Sequence, residues 1–179
     1  MTFSLSGHAG VCWRPPAGRE PAELAAEIEQ LLEISDRDSA ADAAAPGADA
    51  APLSGSPTAD LTQAEDSFGF RWLLLENPAL EDLVSRVHLI NSTLTDNGWG
   101  PQLLCSVFGM VPSADAGADA KPFFLVYLYK RGTFYPFAPT GPQQRDSEYE
   151  LHLRATVGSD LPIEQDLSRW FPLWDLPVH

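Results

Sequence analysis

Residues 38–60 are built almost wholly from Ala, Asp, Gly, Pro and Ser, with Leu53 as the one large apolar side chain, and this tract constrains the fold most. Ordering a backbone costs about 1–2 kcal/mol per residue, and a segment with nothing to bury recovers none of it. The tract therefore predicts a disordered acidic linker, spanning 36–66 at its broadest. It would separate a first lobe at 8–35, one strand and one helix, from a main α+β lobe at 67–179. A shorter stretch of the same composition, 113–120, falls between two strand-like segments and predicts a long hairpin loop.

The charge is concentrated in the same places. The chain has 25 acidic against 11 basic residues, a formal net charge of -14, and 36–66 alone carries seven acids against the single base Arg37. Affinity for duplex nucleic acid comes from Lys and Arg neutralising phosphates, so no DNA partner is expected and RNA is disfavoured. Cys12 and Cys105 are the only cysteines and both sit in apolar, strand-like contexts, which excludes a disulfide framework. The first residues form no signal peptide and no apolar stretch approaches the ~20 residues of a membrane span, so a cytoplasmic protein is expected.

Residues 10–14 predict a strand, stopped by Pro15-Pro16. Leu24, Ile28, Leu31 and Leu32 then recur at helical spacing behind Pro21. After the linker, 68–75 predicts a strand and Asn77-Pro78 a helix start. Leu80, Leu83, Val84, Val87, Ile90 and Leu94 form that helix's apolar face, and Asn97-Gly98 its stop. Strands are expected at 102–110, 122–129 and 133–137, the last two joined by Lys130-Arg131-Gly132. Residues 147–157 alternate polar and apolar side chains and predict another half-buried strand. The Pro-rich, aromatic tail that follows has room only for a short helical turn. The fold expected is α+β and two-lobed, with antiparallel sheet and one main helix per lobe.

Catalytic signatures are scarce. His8, His88, His152 and His179 are isolated, and no His-Glu-x-x-His or Cys-x-x-Cys occurs, so neither a metal nor another cofactor is expected. Gly98-Trp99-Gly100 is followed by Leu103 where a dinucleotide fingerprint needs glycine, and it follows a helix instead of a strand. The enzymatic alternative is a small enzyme using Cys105, with His88 as its base, or a pocket polar group. A cysteine within Leu103-Leu104-Cys105-Ser106-Val107 is more simply an inert core residue.

Two aromatic and basic clusters stand out as candidate protein-binding sites. Tyr129, Lys130, Arg131 and Tyr135 flank the predicted hairpin tip, and Arg169, Trp170 and Trp174 lie in the tail. Arg, Tyr and Trp are enriched at binding hot spots. An RNA-binding module is a third alternative, weakened because Thr133 stands where an RNA-recognition strand would place an aromatic after Arg-Gly. Reversing both Lys130 and Arg131 is expected to leave folding intact, as befits an exposed tip.

The strings Asp66-Ser67-Phe68-Gly69-Phe70-x-Trp72, Asn91-Ser92-Thr93-Leu94, Gly98-Trp99-Gly100-Pro101-Gln102-Leu103-Leu104-Cys105, the 127–137 block and Asp166-Leu167-Ser168-Arg169-Trp170-Phe171-Pro172 resemble those of PspAB, the PspA-associated protein family. The first segment is similar only through Val11-Cys12-Trp13 and its helix. Relative to that family the segment before Val11 is shortened and the Ala/Asp linker expanded. The resemblance implies a bilobal α+β protein encoded with the HtpX membrane protease and PspA-type envelope stress proteins, and it implies no catalytic activity. The expected role is a non-enzymatic adaptor that binds PspA-type proteins or HtpX at, or peripheral to, the inner membrane face.

Overall fold

A computed structural model of the chain describes residues 3–43, 61–76 and 80–178. The tract 44–60, the core of the expected linker, lies outside the described residues, as does the cap expected at Asn77-Pro78. The segments flanking the tract are structured. Helix α1 runs Pro21–Ala43, and Leu61–Glu65, assigned above to the linker, forms strand β2.

The remaining elements are β1 (Phe3–Trp13), β3 (Arg71–Glu76), α2 (Leu80–Asp96), β4 (Leu103–Pro112), β5 (Phe123–Leu128), β6 (Thr133–Phe137), the short strands β7 (Pro139–Gly141) and β8 (Gln144–Arg145), and α3 (Ser147–Val157). Six strands form one antiparallel sheet in the order β2-β3-β1-β4-β5-β6, and β7 and β8 make a separate small hairpin. The α+β class and the antiparallel meander β4-β5-β6 agree with the sequence expectation. The division at 8–35 and 67–179 is not a division of the sheet, because β1 lies between β3 and β4, with Cys12 opposite Trp72 on one side and Cys105 on the other.

Both faces of this sheet are covered. On one, Ala9, Val11, Trp13, Leu73, Leu75, Phe108, Phe123 and Leu125 pack against Leu24 and Ile28 of α1, Leu83, Val87, Ile90 and Leu94 of α2, and Leu153 of α3. On the other, Cys12, Trp72, Cys105, Val107, Val126, Tyr135 and Phe137 pack beneath the C-terminal segment, through Ile163, Trp170 and Val178. Strands buried on two faces need no polar alternation, which accounts for the unbroken apolar runs in β4 and β5. The segment lies close to the backbone at Gly10, where a Cβ would stand 2.8 Å from Val178 Cγ2 and 3.1 Å from Trp72.

The stop of α2 follows the sequence. Gly98 takes φ +86, its N–H donates to the Thr95 carbonyl at 3.1 Å, and the Trp99 N–H donates to the Leu94 carbonyl at 2.8 Å. These are the two bonds of a Schellman ending. Val84, placed above on the apolar face, is instead 46% exposed.

The expected strand at 147–157 is corrected to a helix. Asp146 caps it by accepting from the Tyr149 N–H, Glu148 and Glu150 occupy the positive first turn, and Arg154 lies in the last. Tyr149, Leu153 and Val157, four residues apart, all join the packing. Leu151, which an alternating strand would bury, is 48% exposed. Leu151→Lys is accordingly expected to change stability by no more than about 0.5 kcal/mol, measured by urea denaturation. A loss of several times that would place Leu151 in the core.

Candidate functional site

The covered face opens into one notably apolar pocket of about 410 Å³. Its floor is Cys12 and Cys105, its walls include Trp72, Leu104, Leu128 and Tyr135, and its rim is formed by Phe68 and Phe70 on one side and 171–174 on the other. Three local devices create it. The first is a bulge in β4: Cys12 pairs with Cys105 but Trp13 with Leu103, so Leu104 is an extra residue and both Leu104 and Cys105 line the pocket.

The second device is the Asp66 loop. Asp66 Oδ1 accepts the N–H groups of Phe68 at 2.9 Å and Phe70 at 3.0 Å, Oδ2 accepts Trp72 Nε1 at 3.0 Å, and Gly69 at φ +81 supplies the left-handed turn. This loop replaces the start of the strand expected at 68–75. It also leaves Phe68 57% exposed.

The third device is the C-terminal strap. Its backbone joins the outer edge of β6, where Phe134 N–H donates to the Pro162 carbonyl at 2.9 Å and Glu164 N–H to the Phe134 carbonyl at 2.8 Å. Trp170 stacks on Tyr135 at 6.0 Å between centroids, and Trp174 meets Phe137 edge-on at 5.6 Å. Trp170 Nε1 donates to the Glu164 carbonyl at 3.0 Å and the Tyr135 hydroxyl to the Phe171 carbonyl at 2.8 Å. Phe171 itself is left 58% exposed at the rim.

The residues selected from sequence are thus placed unequally. Tyr135 and Trp174 line the pocket, whereas Trp170 is buried beneath the strap. Tyr129 and Lys130 reach the α2–β4 turn, the phenol oxygen 2.7 Å from Thr95 Oγ1 and Nζ donating to the Pro101 carbonyl at 3.1 Å. Arg169 Nε donates to Asp166 at 3.2 Å on the surface. Arg131 is engaged with the buried carboxylate of Glu164, which also accepts from Thr133 Oγ1 at 3.0 Å and the Asp166 N–H at 3.1 Å. The double reversal at the hairpin tip is therefore expected to cost stability, because Arg131→Glu would set two carboxylates against each other. Lys130→Glu alone is the cleaner change. Phe68 escaped the sequence reading and Phe171 entered it only within the 169–174 block, since nothing in their spacing shows that loops 103 residues apart share one rim; the nearest signal was their place in the quoted motifs.

The strap is anchored by carboxylates with a pH signature. Glu164 is held below its ordinary value first by the Arg131 bond and then by the Asp166 N–H. Asp166 is held low by the Ser168 hydroxyl and N–H, and Asp146 by the Tyr149 N–H and Lys121. Carboxylates with depressed folded pKa contribute stability that is present above their unfolded values and lost as pH falls through the folded ones. The urea midpoint is expected to decline on acidification below about 4.5, the ordinary glutamate value, with Glu164→Gln reducing the slope. An unchanged slope in that variant would remove Glu164 from the anchoring set.

Burial pushes the Tyr135 phenol up, so its hydroxyl serves as a donor to the strap. The Cys12 thiol is pushed up by its hydrogen bond with Cys105 and by burial. His88 is exposed on α2, on the helix-covered side of the sheet, while Cys105 belongs to the strap-covered side, so the sheet stands between the two members of the suggested dyad. Among the described residues no cluster of three His, Cys, Asp or Glu could hold a metal ion, and no helix is long and apolar enough to cross a membrane.

These features define an α+β protein, built on one six-stranded antiparallel sheet, that presents an aromatic-rimmed apolar pocket. The family model of PspAB, PspA associated protein B, matches residues 1–178, and the chain belongs to that family. The match takes in the residues before Val11, where β1 begins at Phe3. No curated protein and no solved structure matched the chain.

Proposed function

We propose that this chain is a non-enzymatic accessory protein of the envelope stress response, docking a PspA-type protein partner near the inner face of the cytoplasmic membrane. The observation that carries the reading is the pocket rim. Phe68 and Phe171 each leave more than half of a large aromatic side chain in water, and both line the same concave apolar surface. Aromatic side chains around a desolvated pocket are the usual anchors of a protein interface, and a rim this apolar is unusual unless something covers it. The family name supports a PspA-type partner. The HtpX membrane protease is the alternative protein partner.

The partner surface that fits is an apolar side chain framed by basic groups. Asp66 and Asp175 stand beside the rim, and a net charge of -14 repels an acidic partner at long range. Because both phenylalanines are largely exposed, Phe68→Ser with Phe171→Ser should leave the fold intact. A hot-spot truncation costs about 2 kcal/mol or more, so if even one of the two is a hot spot, capture of a purified PspA-type protein is expected to fall by roughly 30-fold or more. Lys130→Glu, away from the rim, should change only the rate and salt dependence of association. Undiminished capture by the folded double variant would remove the pocket from the docking surface. Binding of homopolymeric RNA with a steep salt dependence would favour the RNA-binding alternative.

A further inference from the structure

The floor of the pocket has its own chemistry, which does not depend on any docking role. Cys12 and Cys105 are direct partners in the antiparallel register of β1 and β4, and both are free thiols. Residues directly opposite in such a pair have Cα atoms about 4.5–5.5 Å apart. That lies inside the roughly 4.4–6.8 Å that a disulfide bridges. Both side chains leave the sheet on the same face, because both line the pocket. Cys105 is also the leading influence that pushes the Cys12 thiol up.

Access and containment point the same way. The pocket connects this floor to solvent between Phe68 and Phe171, and its walls are apolar and aromatic. A small neutral molecule can traverse such walls, whereas a charged thiol reagent such as glutathione meets desolvation and the acid Asp66 at the rim. No third cysteine exists in the chain to compete for either partner.

We propose that Cys12 and Cys105 form a redox-active pair that a small neutral peroxide, hydrogen peroxide being the simplest, closes to a cross-strand disulfide. One sulfur attacks a peroxide oxygen, the O–O bond breaks, and the products are a sulfenic acid and water. The second thiol then attacks that sulfur, the S–O bond breaks, and the departing hydroxide takes the thiol proton as a second water. Two thiols lose two electrons and two protons in total, and the peroxide is reduced to two waters. The thiolate is the reactive form, and the environment of Cys12 opposes it. The pair is therefore a slow modification site and not a peroxidase. The bridge would draw the sulfurs to about 2.05 Å and replace two thiol protons on the pocket floor with a bare disulfide.

The test uses the full chain, exposed to hydrogen peroxide, then unfolded in acid-quenched denaturant, alkylated with a maleimide and weighed intact. The expected product is monomeric, lighter by two hydrogens, carries no maleimide and regains two alkylatable thiols with dithiothreitol. Cys12→Ser and Cys105→Ser should each show no such mass loss and keep one alkylatable thiol. A parallel sample oxidised while unfolded reports whether the peroxide was active. Two alkylatable thiols surviving in the folded chain when that sample has reacted would overturn the proposal. So would oxygen addition to one cysteine without a bridge, or disulfide found only between chains. Undiminished partner capture in the rim variants with the bridge still forming would leave this inference standing, since the two readings fail separately.

Discussion

Glu150→Ala is expected to destabilise the protein by about 3–5 kcal/mol, the cost of leaving one member of a buried ion pair without the other. Glu150 is one of few buried charges, with its side chain 3% exposed. Oε1 accepts the Ala138 N–H at 2.8 Å, and both oxygens accept Arg145 Nε, at 3.0 and 2.9 Å. Arg145 in turn donates through Nη1 to the Trp170 carbonyl at 2.8 Å and covers the Phe137 ring at 5.1 Å. One carboxylate on α3 thus fixes the end of β6, the short hairpin and the strap together. For a chain of this length each kcal/mol moves the melting temperature by about 2–4 °C, so a fall near 6–20 °C is expected by calorimetry. Pairing Glu150→Met with Arg145→Met should recover part of it, because an apolar replacement leaves no charge behind. A loss under about 1 kcal/mol for Glu150→Ala would mean that Arg145 turns out to solvent at little cost.

Trp170→Ala is the second large effect, about 3–5 kcal/mol from truncating a buried aromatic. It removes the stack on Tyr135 and the bond to the Glu164 carbonyl, both of which hold the strap down. The strap-covered face would then be exposed, so the variant should bind a hydrophobic dye more strongly than the native protein does. Partner capture should fall as well, and that loss would report the fold and not an interface residue. Phe171→Ala, one position on and 58% exposed, should leave stability nearly unchanged. Equal losses for the two would show that Trp170 carries no special anchoring role.

What could be read in the sequence was whatever left a local mark. The Asn97-Gly98 stop, the Lys130-Arg131-Gly132 turn and the apolar stripe of α2 each depend on neighbours within a few residues, and each is present. The 147–157 helix was missed because Tyr149, Leu151 and Leu153 satisfy a period of two while Tyr149, Leu153 and Val157 satisfy a period near four, and eleven residues are too few to separate them. Strand β2 was missed because Leu61-Thr62-Gln63-Ala64-Glu65 has little to bury. It is held as an edge by its ladder to β3 and by Gln63 Nε2 donating to Glu29 Oε1 on α1 at 2.6 Å. The pocket was illegible for a different reason. Asp66, Cys12, Cys105 and Phe171 converge only through strand order, and strand order has no signature in any one segment.

The same strand order sets a timetable. Within this chain β1 precedes both of its partners, β3, which begins at Arg71, and β4, which ends at Pro112. At about 5–20 residues per second, an apolar strand that will end in the middle of a sheet waits on the order of 3–13 s for β3 and 5–20 s for β4. The strap that seals the second face follows every one of these strands in the chain. For most of its synthesis this chain has no finished core, and its cellular yield will depend on what shields that first strand meanwhile.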